Sequence, residues 1–106
     1  MTLDEMQAEI GAWGNETFPQ STPDTIMAHF QEEAEELVLA AYVAPDGVGP
    51  YEEEAADCLL LLLHFAHRKG FSLFDAAMTK MAVNRQRQWK TTPEAAGHFK
   101  HVEVPS

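Results

Sequence analysis

HFQEEAEELVLA, residues 29–40, packs four glutamates into five positions and then turns apolar. Glutamate, alanine and leucine are strong helix formers. Ile26, Phe30, Leu37 and Ala41 recur at the spacing of one helical face, so the stretch predicts an amphipathic helix. At about 100° per residue, Glu32, Glu33 and Glu36 share one arc, with Glu36 between the other two and Glu35 pointing elsewhere. Glu33 borders the apolar stripe, where an unpaired charge is expensive. The stretch therefore predicts a helix and poses a second question: what compensates its carboxylates.

Turn chemistry on either side bounds this helix. Thr22 suits the N-cap, Pro23 the first helical position, and Ala44-Pro45-Asp46-Gly47 the stop. Before it, Leu3, Met6, Ile10 and Trp13 predict a first helix from Leu3 to Trp13, running into a loop from Gly14 to Pro19. After it, a third helix is expected to start around Pro50 to Glu53 and to end at Lys69-Gly70, with acids at its positive end and bases at its negative end. The run Leu59 to Leu63 is apolar all round, which suits a central helix or a subunit interface. A fourth helix is predicted from Ser72, with Asp75 three residues on, through Met78, Met81 and Val83 to about Trp89. Met78 and Met81 read as core filler, and the tail from Thr91 as an irregular arm. No strand alternation competes, so the fold class is all-α, in one 106-residue domain with its core at about 22–90 and a C-terminal arm at 91–106.

Charge narrows the functions available. Seventeen acidic against seven basic residues give a formal net charge of −10, which argues against nucleic-acid binding because phosphates require a basic surface. Any phosphate bound here needs a cation between it and the acids. Cys58 stands alone and cannot form an internal disulfide, which suits a reducing, cytoplasmic setting. The acidic start and the charges flanking the leucine run fit neither a signal peptide nor a membrane span.

A second acid pair sharpens the question raised by the first. Glu54 and Asp57 lie three apart on the third helix, and Glu54 continues the line of Cys58, Leu61 and Phe65. If the second and third helices pack antiparallel, Glu33, Glu36, Glu54 and Asp57 converge. Like charges about 4 Å apart cost about 4 kcal/mol per pair at an effective dielectric near 20. Four such groups need protons or a cation, and all-oxygen ligation selects Mg²⁺, Mn²⁺ or Ca²⁺. Glutamates at such positions are also ordinary helix formers and solvated faces; their joint placement on two neighbouring helices favours a site.

Other signals carry less. His64 and His67 are three apart and could share a metal, but no matching third ligand is evident, so a structural role is preferred; His98 and His101 repeat the spacing in the tail. Cys58 reads as a small buried hydrophobe.

The acids and the segment after them, EEAEEL (32–37), EAAD (54–57) and KMAVNRQR (80–87), resemble the EExxE, ExxD and KxxxN-with-arginines pattern of the MazG-like, all-α nucleoside triphosphate pyrophosphohydrolase superfamily. The similarity spans roughly residues 22 to 90, and the aromatic-containing start from Gln7 to Pro19 resembles that of the smaller deoxynucleotide-directed members. The resemblance implies a four-helix bundle that dimerises or forms a tetramer and cleaves a nucleoside triphosphate between its α and β phosphates. It implies Mg²⁺, with Mn²⁺ as a substitute, on Glu33, Glu36, Glu54 and Asp57, with Glu32 holding the attacking water. Lys80, Asn84 and Arg87 would contact phosphate oxygens. Trp13, Phe18 and His29 are candidates to meet the base, and deoxynucleotides with purine bases are the expected substrates, in pool cleaning or in a phage pathway. The alternatives are a dUTPase, a phosphoribosyl-ATP pyrophosphohydrolase, or a catalytically silent acidic bundle.

Overall fold

The computed structural model describes residues 1–43 and 51–87. Four helices carry them: α1 (Leu3–Thr17), α2 (Pro23–Val43), α3 (Tyr51–Lys69) and α4 (Leu73–Gln86), with no strand among the described residues. The expected stop of the second helix at 44–47, its neighbour Pro50, the segment from Gln88 through Trp89 and the whole tail with His98 and His101 lie outside those residues. The chain forms two compact units, Met1–Phe74 and Asp75–Ser106.

Capping follows local chemistry. Thr2 accepts from the Glu5 amide while the Glu5 side chain accepts from the Thr2 amide, a reciprocal pair that opens α1. At α2, Thr22 Oγ1 accepts from the Thr25 amide at 3.2 Å, as its N-cap position predicts. Gly70 closes α3 with φ at +82°, a left-handed conformation that glycine adopts without strain.

α1 runs four residues past its predicted end at Trp13. Gly14 does not terminate it. Instead the chain stays helical to Thr17, and the Phe18 amide donates to the Gly14 carbonyl at 2.8 Å. The glycines of α1 serve packing. A Cβ on Gly14 would sit 2.7 Å from His64 Cε1, and one on Gly11 would collide with the His67 ring. Both histidines of α3 therefore lie on glycine notches of α1.

α3 packs on both α1 and α2, as its apolar leucine run suggests. The run is not buried all round: Leu63 is wholly buried, whereas Leu59 and Leu60 are exposed. On α2 the buried stripe is Ile26 and Ala40 with Phe30, Glu33 and Leu37 half-buried between them. Ala40, not the expected Ala41, is the inward alanine, because 26, 30, 33, 37 and 40 alternate steps of four and three. Glu33 thus sits within the apolar stripe. Buried Gln7 ties α1 to the turn before α4, donating to the Phe71 carbonyl at 2.7 Å and accepting from the Leu73 amide at 3.0 Å. Ser72 donates to Asp4 at 2.6 Å.

α4 has no buried residue, and Met78, Met81 and Val83, in the second unit, are exposed. Within the single chain, then, Met78 and Met81 do not fill a core as expected. Apolar spacing marks a face that prefers cover; it does not say which surface supplies it.

Candidate active site

Glu33, Glu36 and Glu54 each bring a carboxylate oxygen within 4.8 Å of the other two. Two of these residues come from α2 and one from the first turn of α3, so the two helices meet with the acids at one end of their contact. Glu54, like Glu33, is half-buried. Its Oε2 is buried and has no hydrogen-bond partner, an arrangement that costs free energy unless a proton or cation arrives. Burial, then the carboxyls of Glu33 and Glu36, push the Glu54 pKa up to about 7. A cluster of oxygen donors with one orphaned carboxylate oxygen suits a hard divalent cation such as Mg²⁺ or Mn²⁺.

Asp57 and Glu32 stand differently. Both are exposed and outside this three-carboxylate group, and Asp57 lines a cavity together with Glu33. That cavity encloses about 380 Å³. Ile10, Trp13, Phe18, Ile26, Leu60 and Leu61 form its apolar walls, and His29 and His64 add polar groups. Trp13 and Phe18 meet edge to face with ring centroids 5.5 Å apart and are half-exposed, at 56% and 50%, so they wall the cavity and do not fill a core. His29 Nε2 donates to Glu33 Oε1 at 3.2 Å, orienting that carboxylate from one turn earlier on α2. Cys58 is buried, and its thiol pKa is raised by burial first and then by the charges of Glu33, Asp57 and Glu54, which keeps it a thiol.

Lys80, Asn84 and Arg87 belong to the second unit. Lys80 and Asn84 are one turn apart on α4, and Arg87 just beyond donates to Asn84 Oδ1 at 3.4 Å. Sequence reasoning did not single out Asn15, Arg68 or Ser21, which form a polar brace with His64; Ser21 and His64 line the cavity. Arg68 donates to Asn15 Oδ1 at 3.1 Å and to the Ser21 carbonyl, and His64 Nε2 meets the same Asn15 oxygen at 3.1 Å. These contacts span 47 to 53 residues in sequence, and no local spacing announces them.

The geometry is that of an acidic, cation-ready cluster opening beside an apolar slot. Residues 6–106 match the model of the dATP/dGTP pyrophosphohydrolase family. A dATP/dGTP diphosphohydrolase of Cyanophage S-2L is 35% identical over 106 residues, covering 99% of this chain and 95% of the relative. One of Salmonella phage PMBT28 is 31% identical over 101 residues, covering 95% of this chain and 32% of the relative, so this chain spans about a third of that protein's length. The solved structure of the Cyanophage S-2L MazG-like pyrophosphohydrolase, bound to dGDP and three catalytic Mn²⁺ ions per active site, superposes with a TM-score of 0.77 at 31% identity, covering 97% of this chain and 99% of that one. The chain therefore belongs to the dATP/dGTP pyrophosphohydrolase family and has the MazG-like all-α fold.

Proposed function

We infer that this protein hydrolyses purine deoxynucleoside triphosphates, dATP and dGTP, between the α and β phosphates, releasing the monophosphate and pyrophosphate. The observation that carries this reading is the three-carboxylate group of Glu33, Glu36 and Glu54 beside an apolar cavity that Glu33 itself lines. The family and its phage relatives, named for dATP and dGTP, support the purine assignment.

Glu33, Glu36, Glu54 and Asp57 would hold divalent cations, Mg²⁺ with Mn²⁺ as a substitute. When bound, such ions screen the polyphosphate charge, polarise the oxygens of the α phosphate and acidify a coordinated water. Glu32 orients the attacking water and, with Glu33, accepts its proton as the oxygen bonds to the α phosphorus and pyrophosphate leaves. Lys80, Asn84 and Arg87 bind phosphate oxygens; their basic and amide character suits an anionic substrate. Trp13 and Phe18 flank the base, and His29 holds Glu33 in place through its hydrogen bond.

The active form is a homodimer or a tetramer built from dimers. Val38, Leu39 and Tyr42 on α2, Leu59 on α3, and Met78, Met81 and Val83 on α4 are exposed, and a second copy of the chain would cover apolar area of this kind. A reducing cytoplasm accommodates the single free cysteine, and no helix among the described residues is long and apolar enough to cross a membrane.

Incubation with each common dNTP and NTP plus Mg²⁺, followed by ion-exchange separation, tests the reading. Monophosphate plus pyrophosphate from dATP and dGTP, abolished by EDTA, is the expected result. Release of orthophosphate, or turnover confined to dUTP, would overturn it.

A further inference from the structure

The cavity holds a polar group that the chemistry above leaves unused. His64 is only 7% exposed, packs on Gly14 and lines the cavity. Its Nε2 lies 3.1 Å from Asn15 Oδ1, and Arg68 Nη1 lies 3.1 Å from that same atom. A guanidinium only donates, so the shared atom of Asn15 is its amide oxygen, and His64 must donate to it through Nε2–H. A neutral imidazole that donates from one nitrogen carries a lone pair on the other. Burial, followed by the charge of Arg68 and then of His67, holds the His64 pKa below its ordinary value and keeps the ring neutral. Among the described residues, nothing hydrogen-bonds to Nδ1. The brace thus fixes one tautomer and leaves Nδ1 as an acceptor without a hydrogen bond among the described residues, on a ring that lines the cavity.

Its place along the cavity says what would meet it. Asp57 and His64 are seven residues apart on α3, about 10 Å along the axis. Ile26 and Glu33 have the same separation on α2, running the other way, and all four line the cavity. The acids therefore sit at one end and His64 at the other. A nucleotide with its phosphates at the acids lies with its base toward His64, between the apolar walls.

We propose that His64 is a specificity-determining residue: its Nδ1 accepts an N–H from the exocyclic amino group of the purine, with Asn15 and Arg68 as positioning residues that set the tautomer. Adenine carries such a group at C6, guanine at C2 and cytosine at C4, whereas thymine carries none, so an acceptor here meets a different edge of each purine and disfavours dTTP. The inference rests on the reading that the cavity takes a purine deoxynucleotide.

The test pairs substrates that differ by that amino group: dATP against the deoxyribosyl-purine triphosphate lacking the 6-amino group, and dGTP against dITP. In the wild-type protein one pair at least should differ about tenfold in kcat/KM, the effect of one hydrogen bond. In His64→Phe, which keeps a flat ring on Gly14, that ratio should fall to near one while the analogue is still turned over. An unchanged ratio in the variant, or no discrimination by the wild type in either pair, overturns the proposal and leaves the pyrophosphohydrolase reading intact. Failure of the wild type to cleave any purine triphosphate removes both.

Should His64→Phe not fold, ¹⁵N NMR of the wild-type imidazole decides. Nε2 should be protonated and Nδ1 not, and dAMP or dGMP should shift the Nδ1 resonance toward a hydrogen-bonded acceptor. Asn15→Ala should move both ring signals toward a mixture of tautomers. A protonated Nδ1, or one insensitive to either nucleotide, overturns the assignment; a wild-type pattern in Asn15→Ala overturns the brace.

Discussion

Helix α3 meets α1 through histidine rings seated on glycines and meets α2 through carboxylates crowded on one another. The first contact brings together groups that fit: His64 on Gly14, His67 on Gly11, and a side-chain hydrogen bond from His64 to Asn15. The second holds groups that do not satisfy each other, three carboxyls within 4.8 Å and a buried Oε2 of Glu54 without a partner. From sequence, the paired histidines read as structural and the glutamates, placed jointly on two neighbouring helices, as a site. The packing gives each reading a physical basis: a ring opposed by a glycine fills a notch, whereas a carboxylate opposed by carboxylates calls for a proton or a cation.

The largest effects should come from the acid side of this comparison. Glu33→Gln, Glu54→Gln and Asp57→Asn should each lower turnover by about 100-fold or more while leaving helical circular dichroism unchanged. Mg²⁺ or Mn²⁺ should raise the thermal midpoint of the wild type and not of these variants. Glu54→Gln should by itself raise the midpoint of the metal-free protein, since it removes the buried charge. Variants that retain turnover would place the chemistry elsewhere.

The packed side should fail in the opposite way, in stability before activity. Gly14→Ala pushes a methyl group into the His64 ring, and overpacking of that kind costs about 3 kcal/mol, more than the helix propensity that alanine returns. Gly11→Ala against His67 should be at least as severe. Urea unfolding checks both; a stabilised Gly14→Ala would mean that the α1–α3 contact is looser than described.

A smaller loss is expected at the edge of that contact. Gln7→Leu leaves the Phe71 carbonyl and the Leu73 amide without their partner and should cost about 2 kcal/mol in the same urea experiment.

The smallest effect is in pH, where the two contacts of α3 respond with opposite sign. His64 titrates lower in the folded protein than when unfolded, so as pH falls through 6.5 the unfolded chain takes up its proton first and stability declines. Glu54 titrates higher when folded, about 7 against 4.5, so in metal-free protein its contribution rises as pH falls through that interval. The difference between wild type and His64→Phe, followed by urea midpoint from pH 7 to pH 5, isolates the histidine: the wild type should lose ground on the variant as pH drops. A constant difference would mean that His64 is no less basic folded than unfolded.

How far the sequence reaches can be judged residue by residue. Thr22, Pro23 and Gly70 mark helix boundaries because capping is a local hydrogen-bond problem, and they stand where local chemistry put them. Gly14 misled for the same reason: seen locally it ends a helix, and only the His64 ring opposite explains why the helix passes through it. Glu33, Glu36 and Glu54 were legible as partners because helical periodicity fixes which residues share a face and a short connection favours antiparallel packing. The exposed Met78 and Met81 show the limit of that logic, since periodicity identifies an apolar face without naming its cover.

The sequence by itself determined the all-α class, four helices with most of their ends, the acidic character that demands a cation, and the family pattern in EEAEEL, EAAD and KMAVNRQR. These follow from interactions within a few residues or from charge counts. The tertiary structure alone decided that Glu54 is the strained member of the acid group, that Trp13 and Phe18 wall a cavity, and that Asn15, Arg68 and His64 share one oxygen. Each of those depends on which helix faces which, and burial and shared hydrogen bonds between residues some fifty positions apart exist only once the helices have packed.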